Sequence, residues 1–139
     1  ATGRGDFPNQ INNSLGFPGI LKGVLTVQAS KITDSMAIEA ANSLAEFAVK
    51  RGITPQNIIP QMDEEDVFAC EAADVALQAE KENVATLRLS WNEVYNKVRM
   101  EISNTRALCL EMMANGYIAS PPPNLLAEAL QQTIARFQN

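Results

Sequence analysis

Residues 63–83 read DEEDVFACEAADVALQAEKEN, and their spacing predicts a helix. Phe68, Ala72, Val75, Ala76 and Ala79 recur at intervals of 4, 3, 1 and 3, one face of a 3.6-residue period. Asp63, Glu64, Glu65 and Asp66 fall at the N-cap and first turn, where carboxylates oppose the helix macrodipole. Asn83 suits the left-handed residue just past the end. The acidic run is therefore expected to be a solvated helix start, in preference to a metal site or a surface for a basic partner.

The same pattern continues on both sides. Downstream, Ser90 and Glu93 form a capping box, and Leu89 and Val94 a hydrophobic staple. That helix is expected to run to Asn115 and to end at Gly116. Its stripe is Trp91, Tyr95, Val98, Ile102, Thr105, Cys109, Met112 and Met113, with Cys109 expected to be a packed small hydrophobe. Ala119-Ser120-Pro121-Pro122-Pro123 is a stiff spacer, after which Asn124 caps a last helix with Leu126, Leu130, Ile134 and Phe137 in line.

Upstream, Thr54-Pro55 is expected to start a short helical turn and Ile58-Ile59-Pro60 to be a brief extended piece. A helix from Asp34 to about Arg51 carries Met36, Ala40, Leu44, Phe47 and Ala48 on one face, with Gly52 as its stop. From Pro18, the residues Ile20, Leu21, Val24, Leu25 and Val27 cover most of a helix's circumference, so that helix is expected to be buried. The fold class is mainly α: about five helices, with at most a short strand at Ala1–Phe7.

The chain has 139 residues, 46% of them apolar and 19% charged, a composition for about one soluble globular domain. It contains no histidine, which excludes Ser-His-Asp and Cys-His catalysis and His-containing zinc sites within it. Its two cysteines, Cys70 and Cys109, are too few for a Cys₄ zinc site or a disulfide framework, and are expected to be reduced and buried. The net charge of −5 is local: residues 61–82 hold eight acids and one base, whereas 1–60 and 83–139 each hold five bases and four acids. Attraction to nucleic acid or to an anionic membrane is not expected. The longest apolar stretch, Leu15–Val27, is too short and too rich in glycine for a membrane span, and nothing reads as a signal peptide. The chain opens at Ala1 without Met, inside its most specific motif, which suggests a cut end.

That motif is residues 1–23, ATGRGDFPNQINNSLGFPGILKG, dense in Gly, Pro and Asn. Asn9, Gln10, Asn12 and Asn13 offer donors and acceptors without charge, suited to a ligand that brings its own carboxylates; Asn residues also cap helices and bridge turns. Gly3-Arg4-Gly5 is not a dinucleotide fingerprint, since Pro8 stands where the third glycine belongs. Arg4-Gly5-Asp6 matches an adhesion tripeptide, but three residues match by chance too often to carry weight.

The run Gly3-Arg4-x-Asp6-Phe7-Pro8-Asn9-Gln10-Ile11-Asn12-Asn13-x-Leu15-x-Phe17-Pro18-Gly19-Ile20 closely resembles a signature of malic enzymes of the smaller bacterial and archaeal type. The resemblance continues through Lys22-Gly23, Ala29-Ser30-Lys31-Ile32-Thr33-Asp34-x-Met36 and Ile58-Ile59-Pro60. It implies a helical C-terminal segment of an α/β, Rossmann-type NAD-binding domain. Residues 1–60 would end that domain, with an active-site loop and two helices, and 61–139 would form a helical C-terminal extension.

The activity it implies is oxidative decarboxylation of malate to pyruvate and CO₂ with NAD or NADP and Mg²⁺ or Mn²⁺. In that picture one of the pair Asn12 and Asn13 meets the substrate, and Gly3, Arg4 and Asn13 line the cofactor side of the cleft. Members commonly have Ser where Gly5 stands, so one loop hydroxyl is missing. The family's general acid and base, a Tyr and a Lys, its acidic metal ligands and its Gly-rich turn lie upstream of this segment. No catalytic residue and no metal ligand is therefore assigned within this chain, and it is expected to be inactive alone. The implied partners are the rest of the enzyme chain, malate or pyruvate, and further copies in a cytoplasmic homo-oligomer. The alternative is a free-standing helical interaction module, suggested by the end helix and by Met112-Met113.

Overall fold

A computed structural model describes residues 3, 6, 9–119, 122 and 124–137. A short 3₁₀ turn, Asn13–Leu15, leads into α1 (Phe17–Thr26), followed by α2 (Asp34–Arg51), α3 (Glu65–Lys81), α4 (Trp91–Ala114) and α5 (Leu125–Phe137). Among the described residues there is no strand; the strand expected at Ala1–Phe7 falls largely outside them. Thr54-Pro55 does not start a helical turn: Thr54 and Asn57 instead exchange backbone hydrogen bonds of 3.2 and 2.9 Å across a tight turn.

The chain divides into two units, Ala1–Ser103 and Asn104–Asn139. In the first, α3 packs against both α1 and α2. Its alanines Ala69, Ala72, Ala73, Ala76 and Ala79 are all buried, and Val94 and Val98 of α4 join the same core. Small side chains on α3 let its neighbours approach closely. Across from them α1 presents glycine: a Cβ on Gly23 would lie 2.6 Å from the Ala72 carbonyl oxygen.

That close approach corrects the expectation of a wholly buried α1. Its glycine face, Val24 and Thr26 turn inward, as does Val27 just past its end, while Leu21 and Leu25 stand exposed. The helix docks through its glycines with Ile20 and Val24 beside them, and Phe17, Leu21 and Leu25 are left on the other side.

The helix ends follow the sequence closely. Asn83, at φ 57°, ends α3 as a left-handed residue: Val84 N–H donates to the Ala79 carbonyl at 3.0 Å and Asn83 N–H to that of Glu80 at 2.9 Å. Gly116, at φ 75°, closes α4 in the same way. Glu93 accepts from Ser90 N–H at 2.7 Å, and the Ser90 hydroxyl accepts from Glu93 N–H at 3.4 Å.

The start of α3 differs from expectation. Glu64, not Asp63, holds the N-cap position and makes no side-chain cap. Its carboxylate accepts from Gln61 N–H and pairs with Arg51, while Asp66 takes the Arg99 guanidinium and the Tyr95 hydroxyl. Glu64 and Asp66 are thus tied to neighbouring side chains.

In the second unit no described residue is buried. Cys109 is therefore exposed, contrary to the packed role expected of it, and of the α4 stripe beyond Ile102 only Met112 is half-buried. Cys70, on α3, is half-buried, and burial pushes its thiol up to about 11. No helix of the described residues is long and apolar enough to cross a membrane.

Candidate functional site

The loop that enters α1 is fixed by its amides. Asn9 adopts φ 59°, a left-handed conformation that Asn tolerates, and bridges to a distant loop. Its Nδ2 donates to the Pro55 carbonyl at 2.7 Å and its Oδ1 accepts from Ile58 N–H at 2.8 Å. Asn12 is extended, and its Oδ1 accepts from Ser14 N–H at 2.9 Å, capping the Asn13–Leu15 turn. Leu15 is buried against Val67 and Phe68 of α3 and anchors the turn to the core.

The loop facing it is held from its other side by Arg51, the last residue of α2. The Arg51 guanidinium donates to Asn57 Oδ1 at 2.7 Å and to the Ile59 carbonyl at 3.1 Å, and pairs with Glu64. Residues 55–60 are thereby clamped between Asn9 and Arg51.

Two grooves meet at Asn12, Leu15, Ile59 and Pro60. One, of about 350 Å³, is lined by polar side chains that include Asn9, Gln10, Ser14 and Gln61. The other, of about 460 Å³, is mostly apolar, with Ile11, Leu44, Ala45 and Ile58 in its walls and Asn13 at its edge. Asn12 and Asn13 are both exposed. Gly3 lies beside the same loop: the Ile11 carbonyl oxygen is 3.7 Å from where its Cβ would stand. Three of the four residues expected to line the cleft are thus gathered on one loop. Arg4 lies outside the described residues.

This donor set of uncharged amides and an open glycine suits hydroxyl, carboxylate and carboxamide groups, such as those of a hydroxy acid and a nicotinamide. It does not suit a metal ion: among the described residues no three Cys, Asp or Glu side chains stand close enough to hold one together.

One residue at this site was missed in the sequence and stands out in three dimensions. Glu71, on α3, is fully buried under the junction between the Asn13–Leu15 turn and α1. Burial drives its carboxyl up to about 8, with the Gly19 backbone N–H opposing the rise.

The family model for the malic enzyme NAD-binding domain matches residues 2–81. The chain belongs to the malic enzyme family. Over 99% of its length it is similar to the malic enzyme of Entamoeba histolytica, at 51% identity and a TM-score of 0.92, covering 29% of that chain. A bifunctional malic/malolactic enzyme of Bacillus subtilis is 38% identical over 98 residues, which is 70% of this chain and 24% of that enzyme. An NADP-dependent malic enzyme of Rhizobium meliloti is 60% identical over 48 residues, 34% of this chain and 6% of that one. This malic enzyme segment therefore spans less than a third of the relatives it matches. The amide loop and all of α1, α2 and α3 lie within the NAD-binding domain match.

Proposed function

We propose that this chain is the part of a malic enzyme that presents amides to malate beside the nicotinamide, in an enzyme that oxidises and decarboxylates malate to pyruvate and CO₂. The observation that carries the reading is the loop from Asn9 to Leu15, clamped at both ends, with Asn12 exposed where two grooves meet and Asn13 exposed in one of them. The pinned backbone fixes where the amide groups stand before substrate arrives. Amides held ready in this way orient the C2 hydroxyl and a carboxylate of malate, and positioning of this kind is worth several kcal/mol.

NAD or NADP, bound across the Gly3, Arg4 and Asn13 side of the cleft, supplies the hydride acceptor. The general acid, the general base and the ligands of Mg²⁺ or Mn²⁺ belong to the rest of the enzyme, and the isolated chain is inactive. The segment closes a Rossmann-type domain and works in a cytoplasmic homo-oligomer. That last reading is supported by the second unit, where Leu108, Leu110, Leu126 and Leu130 are exposed on two helices.

A chimera tests the assignment. The Entamoeba histolytica enzyme with this segment in place of its own is expected to reduce NAD or NADP with malate, whereas the 139-residue chain alone is expected to give no turnover. A folded but inactive chimera, or turnover by the chain alone, overturns it.

A further inference from the structure

Glu71 has no exposed surface, and neither carboxylate oxygen has a well-formed hydrogen bond, the Gly19 N–H lying close enough only to favour the anion. Leaving a buried carboxyl unpartnered is costly, and an apolar side chain of similar volume would fill the space without that cost. The position of the group is specific. Its Oε1 lies 3.7 Å from the Cβ position of Gly16, and its Oε2 stands within overlap of that of Gly19. Gly16 is the N-cap of α1 and Gly19 stands in its first turn. The carboxyl is thus aimed at a helix end, where backbone N–H groups lack intrahelical acceptors.

The same residues carry the amide loop. Gly16 N–H donates to the Asn13 carbonyl at 3.2 Å, and Leu15 N–H to the Asn12 carbonyl at 3.1 Å. Whatever moves Gly16 moves the turn that holds both amides.

We propose that Glu71 is a positioning residue for malate, setting from beneath the Gly16–Gly19 junction the orientation of the turn that carries Asn12 and Asn13. The proposal rests on the assignment of those two residues to the substrate. The neutral carboxyl is the form that fits, because charged groups on the surrounding elements are engaged elsewhere. On α1, Lys22 pairs with Glu101 of α4; on α2, Lys50 pairs with Glu46 and Arg51 with Glu64. On α3 itself, Asp66 holds Arg99 of α4, and Asp74 accepts from Ser43 and Trp91. When Glu71 releases its proton to solvent, the anion is answered only by the N–H groups of α1. The first turn shifts toward it, and Asn12 and Asn13 leave the orientation that meets malate.

The test is the pH dependence of the complete malic enzyme carrying this segment. With the competent fraction falling above about pH 8, KM for malate should rise about tenfold by about pH 9 while kcat changes less than about twofold. Glu71→Gln should keep the neutral-pH KM and abolish the alkaline rise, and Glu71→Leu should raise KM at every pH. An alkaline rise that survives in Glu71→Gln, or a Leu variant indistinguishable from Gln, overturns the proposal. Carboxyl ¹³C resonances of the glutamate-labelled protein give a second measurement: Glu71 titrating together with the exposed glutamates also overturns it. If Asn12→Ala and Asn13→Ala bind malate normally, the substrate assignment itself has failed. If they are impaired while Glu71→Gln keeps the rise, only the role of Glu71 has failed.

Discussion

The Glu71 carboxyl occupies the space that a Cβ on Gly19 would need, overlapping it at Oε2, at Cδ and, 2.6 Å away, at Cγ. Because the overlap reaches back to Cγ, rotating the tip of the side chain does not relieve it. Gly19→Ala is therefore expected to lower the unfolding free energy by about 1–3 kcal/mol, the usual cost of overpacking a core. Combined with Glu71→Ala the same substitution should cost much less, because the two atoms no longer compete. Urea denaturation of the four proteins of this double-mutant cycle measures the coupling; strictly additive losses would show that the two residues do not share this space.

Stability should fall as pH rises through the neutral range. Glu71 titrates near 4.5 when unfolded and about 8 when folded, so between those values the native state holds a proton that the unfolded state has lost. Unfolding then releases that proton, and each pH unit costs about 1.4 kcal/mol, up to about 5 kcal/mol across the window. Asp66 acts in the opposite sense and lower down: its hydrogen bond with Arg99 holds its carboxyl below 3.8, so its contribution is present at neutral pH and lost only on strong acidification. Glu71→Gln should flatten the stability profile between about pH 5 and 8 and leave the acid limb in place. Thermal unfolding across pH checks both halves.

The helices were legible because their ends are local chemistry. Asn83, Gly116 and the Ser90–Glu93 box act within a turn of their own position, and the structure places each of them as the spacing implies. What tertiary approach decides was not legible. The outward turn of Leu21 and Leu25 depends on Gly19 and Gly23 meeting α3. The exposure of Cys109 depends on what α4 packs against beyond Ile102. Glu71 did carry a signal: it lies three residues after Phe68 and four before Val75, on the buried face. The run of acids around it made a charged residue there look ordinary. At the candidate site, Asn12 and Asn13 were found by resemblance, whereas the clamps of Asn9 and Arg51 span 46 residues and as few as six, and only the fold joins them into one frame.

Arg51 should be more than the last cation of α2. Its guanidinium reaches Asn57, Ile59 and Glu64 at once and is mostly buried, so Arg51→Ala leaves an unpaired carboxylate and an unsatisfied carbonyl. A loss of about 2 kcal/mol is expected. Amide exchange should accelerate over residues 55–64 and change little in α3. Lysine should not restore it, since one ammonium cannot span the three acceptors as the planar fork does. Full rescue by Arg51→Lys would reduce the interaction to charge alone.

Asn12 separates two roles that an alanine scan would merge. The cap of the turn uses only its Oδ1, accepting from Ser14 N–H. Asn12→Asp keeps that acceptor and should leave the stability within about 0.5 kcal/mol of the starting protein. It removes the amide donor and sets a negative charge against the carboxylates of malate, so in the complete enzyme kcat/KM for malate should fall about 10- to 100-fold. Wild-type kcat/KM in a folded Asn12→Asp enzyme would assign the residue to the cap alone.

The second unit carries the clearest unmet apolar surface. Leu126, Leu130 and Ile134 follow one another every four residues along α5, at 83%, 59% and 47% exposure. A stripe of that kind on a helix with none of its described side chains buried is stable in water only at a cost, and copies that cover it for one another regain roughly 1.5–3 kcal/mol for each leucine buried. Leu126→Lys together with Leu130→Lys should therefore weaken self-association by two orders of magnitude or more. The circular dichroism of α1, α2 and α3 should be unaffected, because neither residue belongs to the core of Ala1–Ser103. Sedimentation over a range of concentrations reads the effect directly. An association constant unchanged by both lysines would remove α5 from the interface between copies.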